Sequence, residues 1–164
     1  MAVDMFLKLE GKPVDGEALD KEHRDEIDIL AWSFGVSNSG TMHVGGGGGA
    51  GKANFQDVSF TCWYEKSTNK VMKLCATGEH IETATLTCRK AGGTPLEYII
   101  YTFKKCIVSS ISTGGSGGED RLTVNFTLNF SEFETSYVPQ KPDGTGETPI
   151  RFGYNIAEAV VTAG

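Results

Sequence analysis

The sequence predicts a mainly β protein: an antiparallel β-barrel or sandwich with one short α-helix and a long extended glycine-rich loop. Three observations carry this. Apolar and polar residues alternate with period two in many stretches, glycine- and proline-rich turns separate those stretches, and one stretch after Ser67 has helical spacing instead. At 164 residues the chain is expected to form one domain, 1–164, large enough to fold without a metal or disulfide.

The elements follow in order. Met5 to Leu9 opens as a strand, and the strongly charged stretch Asp15 to Asp28 reads as a surface loop. Ile27 to Val36 is a strand with two unlike faces. Leu30, Trp32, Phe34 and Val36 form a bulky face expected to pack inward. Ala31, Ser33 and Gly35 form a small face suited to a close approach or an open surface. Next comes a run, Gly40 to Gly51, in which seven of twelve residues are glycine. Ordering glycine costs more entropy than ordering any other residue, and Met42 and Val44 offer little apolar surface in return. The run therefore either stays mobile or is ordered by something outside its own domain. Asn54 to Tyr64 alternates again, with Val58, Phe60 and Cys62 on one face.

The helix is expected after a cap at Ser67 or Thr68. Val71, Met72, Leu74 and Cys75 give its apolar stripe and Gly78 its end. Ala84, Leu86 and Cys88 alternate in the next strand, and Tyr98 to Val108 is a long apolar one. The turn Gly114 to Gly118 leads into the clearest alternation, Leu122, Val124, Phe126, Leu128 and Phe130, with Thr123, Asn125, Thr127 and Asn129 between them. Pro139 to Thr148 reads as a loop, and Ile150, Phe152, Tyr154 and Ile156 as a last strand, for about seven in all.

Composition excludes several functions. The net charge of −6 argues against nucleic acid and against anionic membranes, both of which favour basic patches. No run of about 18 apolar residues is present to span a membrane. The amino terminus, MAVDMFLKLEGK, lacks the basic flank and long apolar core of a secretory signal. Cys62, Cys75, Cys88 and Cys106 form no C-x-x-C pair and no histidine sits at zinc spacing, so reduced core thiols and no metal are expected. Gly46 to Lys52 nearly spells a phosphate-binding loop, but Ala53 stands where Ser or Thr would hold magnesium, and a strand follows instead of a helix. His23, His43 and His80 read as solvated side chains, since no nucleophile motif accompanies them. Glu119, Asp120 and Arg121 read as a salt-bridging cluster within or between subunits.

Several short motifs occur together in a specific order. They are MAVDMFLKLEG at the start, EIDILAWSFG (26–35), SGTMHVGGGGGAGK (39–52), KAGG (90–93), SSISTGGSGGEDRLTVN (109–125), TLNF (127–130), PQK (139–141) and YNI (154–156). In this order and spacing the chain resembles the haemolysin-coregulated protein (Hcp) family, tube proteins of the bacterial type VI secretion system. The resemblance runs from Met1 to about Ala157. The four cysteines and the Pro-Gly insert at 142–146 are this chain's own.

The resemblance implies a non-enzymatic barrel with no catalytic residue and no cofactor, six copies of which close into a ring. Rings stack into a tube that a contractile sheath drives outward behind a spike protein, and small effector proteins ride inside. It implies a protein that is cytoplasmic before export and then secreted without a cleaved signal peptide, with no direct membrane insertion. The expected ring and tube contacts are Met42, His43, Val44, Gly47, Lys52, Glu119, Asp120 and Arg121. Ala31, Ser33 and Gly35 are the candidates for the lumen and cargo face, assigned by strand parity. The competing reading from the residues alone is a monomeric or dimeric barrel that binds a sugar or peptide through its polar strand faces.

Overall fold

The computed structural model describes residues 2–43 and 49–164. Ten strands and one helix occur among them: β1 Val3–Glu10, β2 Ile27–Ser33, β3 Val36–Gly40, β4 Ala50–Phe55, β5 Val58–Trp63, α1 Lys66–Thr77, β6 His80–Lys90, β7 Leu96–Thr113, β8 Thr123–Tyr137, β9 Ile150–Asn155 and β10 Val160–Ala163. β8, β5, β2, β1, β6 and β7 pair in that order, and β7 pairs back onto β8, which closes an antiparallel barrel. β8 changes partner along its length. Thr123 to Leu128 pair with β5, whereas Glu132 to Tyr137 pair with β9, which carries β10 outside the closed ring of strands.

Alternation builds the core as expected in most strands. Val124, Phe126, Leu128 and Phe130 are buried, as are Ala84, Leu86 and Cys88, and Val58, Phe60 and Cys62. Across four strands Trp32, Phe60, Phe126 and Ile111 sit in register on the inner face. Leu122 lies before β8 and is largely exposed.

Three expectations change. The stretch Ile27 to Val36 is two strands, not one. A bulge between Ile29 and Ala31 shifts the parity, so Ile27 and Ile29 are buried while Leu30 points out. A bulge inserts an unpaired residue and resets which face each side chain takes. The chain then leaves the barrel at Phe34 and Gly35, which puts Val36 on an exposed hairpin. Ile150 and Phe152 are exposed too, because β9 lies beyond the barrel seam and turns only Gly153 fully inward. β10 lacks any clear signal and raises the strand number above seven.

The helix matches its expected span, but Glu65 is the N-cap. Its carboxylate accepts from the Thr68 amide and from the Ser67 hydroxyl, and the Glu65 amide donates to Thr68 Oγ1 at 3.1 Å. This satisfies two amides that a helix start leaves free. Val71 and Leu74 are buried in the core, Cys75 is half-buried and Met72 faces out. Gly78 ends the helix at φ 68°, in the left-handed region where glycine costs least.

Candidate functional site

Two rows of small side chains cross the outer face of four neighbouring strands. The register aligns Ser33 of β2, Ser59 of β5, Thr127 of β8 and Ser110 of β7 in one row. It aligns Ala31, Thr61, Asn125 and Ser112 in the next. These are the residues whose strand neighbours fill the core, so parity forces them outward. They bond one another along the rows. Ser33 and Ser59 hydroxyls lie 2.5 Å apart, Ser110 and Thr127 also 2.5 Å, and Thr61 donates to Asn125 Oδ1 at 2.6 Å. At about 4.8 Å per strand the face is roughly 14 Å wide between its outer strands. Neither row contains a charged or large apolar side chain. At the rim Asp57 accepts from Ser109 at 2.7 Å and Asn129 at 2.8 Å. Ala31 and Ser33 therefore stand together on this face. Gly35 stands apart from it, in the β2–β3 connection, where its carbonyl accepts from the Gln56 amide at 2.9 Å.

The described ends of the glycine run belong to a β-hairpin made by β3 and β4, outside the barrel sheet. Cross-strand bonds order its described part. The Thr41 amide and hydroxyl donate to the Gly49 carbonyl at 3.3 and 2.8 Å, and the Gly49 amide donates to Thr41 Oγ1 at 3.3 Å. Local pairing thus orders Thr41 and Gly49, while Val44 to Gly48, on which the choice between a mobile run and one ordered from outside turns, lie outside the described residues. Gly51 passes so close to Ser39 that a side chain there would collide with it. Met42 and His43 are exposed near the turn and Lys52 is exposed on β4. Val44 and Gly47, like Gly46, lie outside the described residues. Because Lys52 and Ala53 belong to a strand, and α1 starts only at Lys66, no helix terminus faces that lysine as a phosphate loop requires.

Glu119, Asp120 and Arg121 are exposed in the turn before β8. They form no ion pair within the chain among the described residues, contrary to the intrachain half of the expectation. Instead the Arg121 guanidinium stacks on the Trp63 ring at 4.4 Å.

A polar cluster pins the 15–28 loop to the barrel, and charge patterning alone missed it. His23 is buried rather than solvated, and its ring lies parallel on Phe6 with centroids 4.4 Å apart. Its Nδ1 faces Glu26 at 2.8 Å and its Nε2 faces Glu97 at 2.6 Å. Arg89, also buried, donates to Asp20 at 2.5 and 3.1 Å and to Asp4 at 3.3 Å. The Arg89 guanidinium holds the Asp20 carboxyl down to about 2. Residues 20–26 are all charged or histidine, so no local pattern singles His23 out.

Cys62, Cys88 and Cys106 are buried free thiols. Burial pushes Cys62 and Cys106 up to about 12 and raises Cys88 too. The thiolate is the reactive form, so these three are inert while the barrel is closed. Iodoacetamide is expected to label half-buried Cys75 first, with the other three slower by on the order of a hundredfold. Peptide mass spectrometry of native protein checks this, and equal labelling of Cys106 and Cys75 would contradict it.

Comparison with known proteins agrees with this architecture. The Hcp1 protein of Pseudomonas aeruginosa is 56% identical over 162 residues, covering 98% of this chain and 99% of that one. Hcp1 from Salmonella typhimurium superposes with a TM-score of 0.78 at 32% identity, over 98% of this chain and 99% of the other. A type VI secretion system effector from Yersinia pestis gives 0.75 at 30% identity, over 93% and 99%. Another structure, of a type six secretion system protein, gives 0.91 at 29% identity, over 98% and 100%. Residues 6–137 match the family described as type VI secretion system effector, Hcp. With its fold, its length and its sequence all in agreement, this chain belongs to the Hcp family of secreted type VI secretion system proteins.

Proposed function

We propose that this protein is a non-enzymatic tube subunit: six copies close into a ring, rings stack, and the assembly is exported with small effector proteins held in its lumen. The observation that carries the reading is the double row Ser33–Ser59–Thr127–Ser110 and Ala31–Thr61–Asn125–Ser112. A wall of small, neutral, mutually bonded side chains suits the inside of a channel, since it neither blocks passage nor traps charge. The β3–β4 hairpin, with Met42, His43 and Lys52 exposed outside the barrel sheet, is the arm that reaches a neighbouring copy or the next ring. A ring closes by one heterologous contact repeated about an axis. In this reading Glu119, Asp120 and Arg121 lie at contacts between copies. The assembly works with the spike protein and contractile sheath, and the subunit is cytoplasmic until export, without a cleaved signal.

Ser33→Arg tests the lumen assignment. The variant is expected to keep a six-fold ring by native mass spectrometry while effector co-purification falls roughly tenfold or more, equivalent to about 1.4 kcal/mol. A lone subunit at every concentration for the unmodified protein would remove the ring reading. Unchanged effector retention by an intact Ser33→Arg ring would remove only the lumen assignment.

A further inference from the structure

His23 is held between two acceptors. Its Nδ1 lies 2.8 Å from Glu26 Oε2 and its Nε2 lies 2.6 Å from Glu97 Oε1, and the residue is only 8% exposed. Ionised carboxylates accept and never donate, while a neutral imidazole has one N–H. One nitrogen can be satisfied by that N–H. The other contact needs a second positive centre, either a proton or a metal ion. A third acid points at the same place. A carboxylate oxygen of Glu22, a ring nitrogen of His23 and a carboxylate oxygen of Glu97 all lie within 4.8 Å of one another.

The division of labour follows from the fourth residue, Glu26. A carboxylate on one nitrogen of a metal-binding histidine fixes the tautomer and leaves the other nitrogen bare for the ion. Glu26 occupies that outer position on Nδ1. We infer that Glu22, His23 through Nε2, and Glu97 form a site for a divalent transition metal, with Zn²⁺ the ion of best chemical fit. Imidazole with carboxylate favours zinc over magnesium, which prefers all-oxygen octahedra. Zinc bonds of about 2.0–2.2 Å place tetrahedral ligands roughly 3.3–3.5 Å apart, so Glu97 Oε1, which lies 2.6 Å from Nε2 in a hydrogen bond, has to draw back to admit the ion. Small rotations of exposed Glu22 and half-exposed Glu97 suffice, and water takes the fourth position.

The charge around the site is balanced: from the loop come Asp20, Lys21, Arg24, Asp25 and Glu26, from β1 comes Asp4, and from β6 come Arg89 and Lys90, four acids and four bases. Arg89, the buried cation of this group, is already bound by Asp20 and Asp4. The ion would tie the 15–28 loop to the start of β7, adding a clamp at the point where only hydrogen bonds now join them.

The test uses the full chain without a histidine tag, titrated with Zn²⁺ by calorimetry and by thermal melting near neutral pH. One Zn²⁺ per chain and a raised Tm are expected, with Mg²⁺ failing to compete. Glu22→Gln removes a ligand yet keeps both His23 hydrogen bonds, so it is expected to fold normally by circular dichroism and bind Zn²⁺ at least about tenfold more weakly. His43→Gln is expected to bind like the unmodified protein. Absence of stoichiometric binding overturns the site, as does equal affinity in Glu22→Gln. A thiolate charge-transfer band on Co²⁺ binding would place the metal on a cysteine and overturn it as well.

Discussion

Replacing Phe133 with alanine is expected to lower unfolding free energy by about 3–5 kcal/mol, a large share of the roughly 5–15 kcal/mol typical of a folded domain. Phe133 is 2% exposed and sits where separate parts of the molecule meet. Its ring centroid lies 5.2 Å from Phe34, 5.5 Å from Phe55, 6.0 Å from Phe130 and 5.7 Å from Phe152. It therefore joins β8 to the β2–β3 connection, to the root of the hairpin and to β9. Removing it leaves a cavity that four elements would have to collapse into together, which a closed barrel resists. The urea midpoint should fall with the slope unchanged. Phe152→Ala, at a half-open position, should cost much less. A loss below about 1 kcal/mol at Phe133 would mean that the seam repacks.

Excising residues 41–49 and joining Gly40 to Ala50 through an Asn-Gly turn is expected to abolish stacking into tubes while the melting temperature stays within about 0.5 kcal/mol equivalent. The reason for the second half is structural. β3 and β4 pair only with each other, and a side chain at Gly40 or Gly49 would meet open space. At these two described glycines the arm has open space around it. The reason for the first half is the proposed contact between copies. Sedimentation and negative-stain imaging read the assembly, and tubes of normal length from the shortened chain would remove the hairpin from the stacking contact.

The sequence makes the barrel legible wherever one face of a strand is fully inside. Val124 to Phe130 and Ala84 to Cys88 read correctly because burial writes period two directly into the residues. Parity fails at Leu30, where one bulged residue shifts the register without any marker in composition. It also fails at Ile150 and Phe152, since alternation reports that a strand has two faces but not whether either is covered. On the candidate site, Ala31 and Ser33 were correctly grouped by parity. Their partners on β5, β7 and β8 emerge only from non-local register. His23 was read as solvated because a charged neighbourhood resembles a surface. Burial by Phe6 from β1 and Glu97 from β7 is a contact 74 residues away in the chain for the latter, beyond any local pattern.

The hydroxyl rows have one further consequence, for departure. Ser33 already bonds Ser59, Thr61 already bonds Asn125, and Ser110 already bonds Thr127. A guest that binds one of these groups must first break an existing bond, so each new contact nets little. Adhesion is then spread thinly over many near-neutral touches, without a desolvated ion pair to sever. If this face lines the lumen as proposed, such a guest needs no unfoldase or ligand to eject it: dilution into a larger volume is enough to set it free.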